Sequence, residues 1–300
     1  MTHFVERVDW SFTAEPRGYA GHAEGLARNV LVGRDNGAVH TELSIARLEA
    51  GGWIDGHLHS FEKAVYVLDG EPVLALEHRR LRLRPGDYAL VPIGTRHSWA
   101  NPGDGEVRWL SVSTPVTIPP EEGRSDTLFR PGGDDARHGD AAPPVFGPTS
   151  RWVGHYEGTP AQAEALQLAD PARGRRPAGM DTALLVYSGI SVKMLVDRVF
   201  GAELLTMFTV DYEPGGAAQV HDHPFEEAYF FLDGEIEAVL EGREYTIRAG
   251  DIVFAGVGAT HGFFNGGDDR VRWIETQAPQ PPGRHSYRWV DHWKRLESET

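Results

Sequence analysis

The chain has 300 residues, no cysteine, 44 acidic against 29 basic side chains and a formal net charge of −15. Zero cysteines exclude disulfides, thiolate metal sites and cysteine nucleophiles, and the negative charge opposes attraction to nucleic acid or anionic lipid, which leaves a small molecule as the expected partner. No apolar run reaches membrane-spanning length and the start MTHFVERVDWSF lacks a basic stretch followed by an apolar one, so the chain reads as cytoplasmic, without a membrane partner and with a homodimer as the assembly left open.

Residues 1–29, with Pro16, Gly18, Gly21 and Gly25, read as an irregular N-terminal arm with room for one strand. From 30 to 114, short β-rich runs alternate with turn signals such as LDGE at 68–71 and RPGD at 84–87, the pattern of an antiparallel barrel. Residues 115–180 form a Pro-, Gly- and Asp-rich linker. Within it Thr159 as N-cap and Pro160 at the first helical position predict a short helix over 159–170. A second barrel is expected over 181–280, then a tail over 281–300 in which Trp289 and Trp293, at i, i+4, predict a short helix burying both indoles. His285 and His292 in that tail lack spaced partners and read as surface or packing residues.

The two barrels repeat each other. His57 and His221, Gly70 and Gly234, Gly86 and Gly250, His97 and His261, Asn101 and Asn265, and Trp109 and Trp273 are each separated by the same 164 positions. With roughly two in five positions identical over about 80 residues, this is an internal duplication.

In the second copy, HDHPFEEAYFFLDGE supplies His221, His223 and Glu227, whose shared odd parity puts them on one face if the segment is a single strand. His261 adds a fourth donor. Gly215, His221, His223, Glu227 and Gly234, followed by Gly250, Gly258, His261 and Asn265, resemble the two signature motifs of the cupin superfamily. Gly51, His57, His59 and Gly70, then Gly86, Pro92, Gly94, His97 and Asn101, repeat the pattern, so the chain resembles a bicupin. The resemblance implies an all-β fold of two tandem cupin (jelly-roll) barrels with a few short helices.

The copies differ at the carboxylate. Where the second has Glu227 the first has Lys63, and an ammonium cannot ligate a cation. His57, His59, Lys63 and His97 are therefore read as a degenerate N-terminal site, kept for packing, and His221, His223, Glu227 and His261 as the metal site. Glu62, of the opposite strand parity, is a poor substitute ligand. Three imidazoles and one carboxylate suit one divalent transition metal per chain, Mn(II) or Fe(II) first, with Ni, Co, Cu or Zn as alternatives. Nothing resembles a nucleotide loop, so no organic cofactor is expected.

Glu227 is also the candidate catalytic proton acceptor. By parity Gln219, Tyr229, Phe231 and Phe263, with Met207 and Thr209 from the preceding strand, are the expected substrate pocket. Asn265, Gly250 and Gly258 read as turn and backbone residues. Three functions fit the site: dioxygenase-type oxidation, as in quercetin- and diketone-cleaving cupins; redox-neutral Lewis-acid hydrolysis, decarboxylation, isomerisation or cyclisation, as in ureidoglycine aminohydrolase; and non-catalytic binding or storage. Oxidation is the leading reading. The ligand order His-x-His-x3-Glu departs from that of the aminohydrolase, and storage cupins generally lose their ligands.

Overall fold

The computed structural model describes residues 2–16, 18–118, 125–132, 135–146, 151–167, 187–281 and 288–289. Strand β1 (His3–Arg7) is followed by β2 (Ala23–Val32), β3 (Glu42–His59), β4 (Glu62–Asp69), β5 (Val73–Leu76) and β6 (Arg79–Arg82). Next come β7 (Asp87–Val91), β8 (His97–Ala100), β9 (Val107–Thr114), β10 (Thr127–Phe129) and β11 (Val153–His155). Helix α1 (Pro160–Gln167) leads to β12 (Tyr187–Val196), β13 (Thr206–Asp222), β14 (Glu226–Asp233), β15 (Glu235–Leu240) and β16 (Arg243–Arg248). The last strands are β17 (Asp251–Ala255), β18 (His261–Phe264), β19 (Val271–Ala278) and β20 (Arg288–Trp289).

These strands make two barrel sheets with one topology. The N-terminal unit, Asp9–Glu157 with Leu195–Leu205, has the order β11-β7-β4-β9-β3-β8-β5-β6, with β2 and β10 also on β3. The C-terminal unit, Met1–Val8 with Gly158–Met194 and Thr206–Thr300, has the order β1-β17-β14-β19-β13-β18-β15-β16, with β12 and β20 on β13. Inward positions fill each barrel with large side chains. Trp99 stacks on Trp109 at 4.8 Å in the first, and Phe263 meets Trp273 at 5.3 Å in the second.

The duplicated motif residues outside the histidines are structural. Asn265 Nδ2 donates to the carbonyls of Glu213 at 3.1 Å and Asp269 at 2.8 Å, while its Oδ1 accepts from Gly267 N at 3.1 Å, so one side chain ties two turns together. Asn101 does the same in the first copy. Gly234 has φ +81°, and a Cβ there would lie 2.6 Å from Arg270 O, so no other residue fits.

Two expectations are corrected. The arm over 1–29 is not irregular with one strand: β1 pairs along β17, from His3 opposite Ala255 to Arg7 opposite Asp251, and β2 starts at Ala23 and pairs with β3. The unpaired edge of β17 supplies the hydrogen-bonding groups that order β1. In the tail, Trp289 is in a strand and not a helix, opposite His221 on β13; Trp293, His285 and His292 lie outside the described residues. Helix α1 ends its described course at Gln167. Its start has a reciprocal cap, with Thr159 Oγ1 accepting from Gln162 N at 3.3 Å and Gln162 Oε1 accepting from Thr159 N at 3.1 Å. The remainder of the predicted helix, 168–170, is likewise outside the described residues.

Candidate metal centre

His221 lies at the end of β13, His223 in the corner that follows, Glu227 at the start of β14 and His261 at the head of β18. The single-strand reading of this segment is thus wrong, because the chain turns at Pro224–Phe225, and barrel curl rather than one strand's parity brings the four side chains together. The ring nitrogens of His221, His223 and His261 lie within 4.8 Å of one another. All four residues are buried.

Hydrogen bonds on the far side of each ring fix its tautomer. His221 Nδ1 faces the Gln219 carbonyl at 2.7 Å, His223 Nδ1 the Phe225 carbonyl at 2.9 Å and His261 Nδ1 the Ala259 carbonyl at 2.9 Å. A carbonyl only accepts, so each Nδ1 carries the proton and each Nε2 of the neutral ring offers a lone pair. Burial, then the neighbouring His261, lowers the pKa of His221 well below the ordinary imidazole value. Glu227 Oε2 lies 2.7 Å from His223 Nε2 and 3.0 Å from His261 Nε2. An acceptor thus faces two acceptors at hydrogen-bond distance in a dry interior. Only a cation between them, a proton or a metal ion, makes that arrangement favourable, so the donor set fits a divalent metal.

Burial alone would raise the Glu227 carboxyl, but positive charge and donated hydrogen bonds at His223 and His261, present only when a proton sits on their Nε2 atoms, outweigh it and hold the carboxyl well below the usual range. Its oxygens are also oriented from outside the donor set. Gln277 Nε2 donates to Oε1 at 2.7 Å and the Tyr229 hydroxyl donates to Oε2. Glu275, opposite Tyr229 in the β14–β19 register, accepts from Trp273 Nε1 at 2.9 Å. Burial and then Glu227 raise its carboxyl well above the ordinary range, so it stays protonated beside the site.

The structure brings two of the six expected pocket residues to the cavity beside the histidines. Tyr229 and Phe263 line the cavity beside the histidines, joined by Phe208, Val210, Tyr212 and Trp273. Met207 and Thr209 are buried but have the opposite parity to the lining residues of β13, and Phe231 packs into the core against Trp273 at 5.0 Å. Gln219 is exposed and contributes its carbonyl, not its side chain. The cavity is small, about 30 Å³, room for about one water. Sequence reasoning missed Gln277 and Glu275, although the repeat holds the signal. The equivalent first-copy positions are Ser113 and Ser111, so glutamine and glutamate stand only in the copy that has Glu227.

In the first copy His57, His59 and His97 also cluster, their nitrogens within 4.8 Å. His57 and His97 present Nδ1 to the carbonyls of Asp55 at 2.7 Å and Thr95 at 3.1 Å, and burial lowers the His57 pKa to about 3. Lys63 stands where Glu227 does and donates from Nζ to His59 Nε2 at 2.9 Å. Glu62 turns away, its carboxylate accepting the backbone N–H groups of Glu203 at 2.8 Å, Leu204 at 3.0 Å and Leu205 at 3.1 Å.

The model of the cupin domain matches twice, over residues 44–113 and 208–276. The chain is a bicupin. This bicupin is 25% identical to quercetin 2,3-dioxygenase of Bacillus subtilis over 258 residues, covering 79% of the chain and 74% of that protein. It is 30% identical to the polyketide synthase CurC of Streptomyces cyaneus over 114 residues, 38% of the chain and 74% of the relative. Among solved structures, salicylate 1,2-dioxygenase of Pseudoaminobacter salicylatoxidans with gentisate superposes with a TM-score of 0.68 at 15% identity, covering 92% of the bicupin and 81% of that chain. At that identity the superposition speaks for the fold alone.

Proposed function

We propose that the bicupin is a metal-dependent enzyme acting on a small organic molecule in its C-terminal barrel, by dioxygenase-type oxidation. The observation that carries this reading is the acceptor-against-acceptor contact of the buried Glu227 with the buried His223 and His261. His221, His223, His261 and Glu227 would hold one divalent ion, for which Mn(II) and Fe(II) suit the mixed nitrogen and oxygen donors. The metal would supply Lewis acidity and, as Mn(II) or Fe(II), redox access to dioxygen. The protein's own part is to fix the tautomers through three backbone carbonyls, to orient Glu227 through Gln277 and Tyr229, and to exclude water with an aromatic wall. Because the cavity holds about one water, an organic substrate reaches the histidines only when lining side chains move. Similarity to quercetin 2,3-dioxygenase over most of the chain supports the oxidative reading.

A redox-neutral reaction, with cyclisation as the case in point, is the second reading, favoured by the similarity to cupins named for polyketide synthesis. Turnover of enols, phenols and hydroxy acids measured in air and under strict anaerobiosis separates the two. Undiminished anaerobic turnover rejects the dioxygenase, and loss that reverses on readmitting oxygen rejects the redox-neutral enzyme. Metal analysis tests the site itself: one equivalent per chain, lost in His261→Ala and kept in His97→Ala, is the expected result. Two equivalents, or loss on changing His97, would overturn it.

A further inference from the structure

The N-terminal barrel contains a cavity of about 580 Å³, within the range of small-molecule sites and far larger than the void beside His221. Lys63 is part of its wall, and around it the cavity is lined by Arg28, Glu42, Phe61, Tyr19 and Val30. The charges among these are distributed unevenly. Arg28 forms an ion pair with Glu42 and also donates to Ser44 Oγ at 3.1 Å, and Glu42 accepts from the Thr117 hydroxyl as well, so both are engaged. Asp126, also in the wall, accepts from Ile118 N at 2.6 Å and from Ser60 Oγ at 3.3 Å. Lys63 differs. Among the described residues its hydrogen-bond partner is a neutral imidazole, His59 Nε2, and no carboxylate lies within ion-pair distance of Nζ.

A cation in the wall of a cavity with no carboxylate in ion-pair contact is costly, because Glu42, the anion that acts on Lys63, is already paired with Arg28, and a ligand that brings a carboxylate removes the cost. The duplication shows that the feature belongs to this copy. The positions of Arg28, Glu42 and Lys63 are Val192, Thr206 and Glu227 in the C-terminal barrel, so one copy has a carboxylate beside two uncharged side chains where the other has a lysine and an ion pair. Behind Lys63, outside the cavity lining, the buried His97 Nε2 also has no hydrogen-bond partner, so the histidine cluster offers the ammonium no charge of its own.

We propose that the cavity of the N-terminal barrel is a second ligand site, taking a small monocarboxylate with an apolar body, its carboxylate on Lys63 Nζ and its body against Phe61, Tyr19 and Val30. The class follows from the wall. Glu15, Asp35 and Asp126 also line the cavity against one further cation, Arg34, and this acidic excess disfavours a second negative charge, while the aromatic and branched side chains accommodate a ring or a short alkyl chain. Burial, and then Arg28, lower the Lys63 ammonium to about 7, so above neutrality a bound carboxylate draws a proton onto Nζ.

The experiment is calorimetric titration of the full-length protein with benzoate, succinate and benzyl alcohol. It is run in a His261→Ala background to remove the other barrel's donor set, and at pH 8 in buffers of different ionisation heat. Benzoate is expected to bind once per chain with proton uptake, and succinate and benzyl alcohol about tenfold or more weaker, as for loss of a charge-assisted contact. Lys63→Met should remove benzoate binding, and Lys63→Arg should retain it without proton uptake, because arginine does not titrate in this range. Absence of saturable benzoate binding, binding unchanged in Lys63→Met, or binding without proton uptake in the protein that keeps Lys63 would each overturn the proposal. So would a site present with wild-type His261 and lost in His261→Ala, which would place the ligand in the C-terminal barrel.

Discussion

One position, 63 against 227, separates the two donor sets. Lys63→Glu restores the carboxylate next to His57, His59 and His97, and metal analysis of that variant should rise by one equivalent per chain. A count left unchanged would mean that Ser113, standing where Gln277 orients Glu227, matters as much as the ligand itself. That orienting role has its own test. Gln277→Leu should weaken metal affinity by about 10- to 100-fold, the usual cost of losing an outer partner, as read by competition with a chelator. Lys63 also carries a pH signature. With a folded value of about 7 against 10.5, the unfolded chain holds a proton over that interval that the folded chain does not, so raising the pH stabilises the fold. Denaturant melts of wild type and Lys63→Met should therefore diverge in favour of wild type between those limits. The clustering of the four candidate donors was legible from donor type and spacing. Glu275 and Gln277 were not, because nothing local marks a polar residue in a buried strand as part of a site until the register across β14 and β19 is known.

Among the elements, the barrel strands were legible because turn signals punctuate alternating runs, and the duplication checks each copy against the other. The N-terminal segment was misread because its order comes from a strand about 250 positions away in sequence, which no local pattern reveals. Glu62 shows the same limit. Its parity excluded it as a ligand, yet its use as an acceptor for Glu203, Leu204 and Leu205 is visible only in the fold. Glu62→Ala would leave three N–H groups without that acceptor and should destabilise the N-terminal unit by at least about 2 kcal/mol, measured by denaturant unfolding. An unchanged midpoint would show that water replaces the carboxylate at no cost.

For the molecule as a whole, buried histidines set the acid limit. His57 falls to about 3 from 6.5, so between those values the unfolded chain takes up a proton that the folded chain refuses, and stability falls as the pH is lowered. Melting temperature should drop steeply below about pH 6.5, and added metal should raise it at neutral pH through the C-terminal donor set. Equal melting with and without metal would show that the ion is not coupled to the fold.

The placement of β1 on β17 governs how the protein is made. During synthesis β1 leaves the ribosome about 250 residues before its partner β17, so the C-terminal sheet cannot close over β1 until that much more chain has been made. The N-terminal sheet has everything it needs once Leu205 has emerged. The duplicated halves should therefore mature in a fixed order, the lysine-bearing barrel first. Until then β1 waits as a free strand, and that interval is when the nascent chain is most exposed to strand-mediated association with its neighbours.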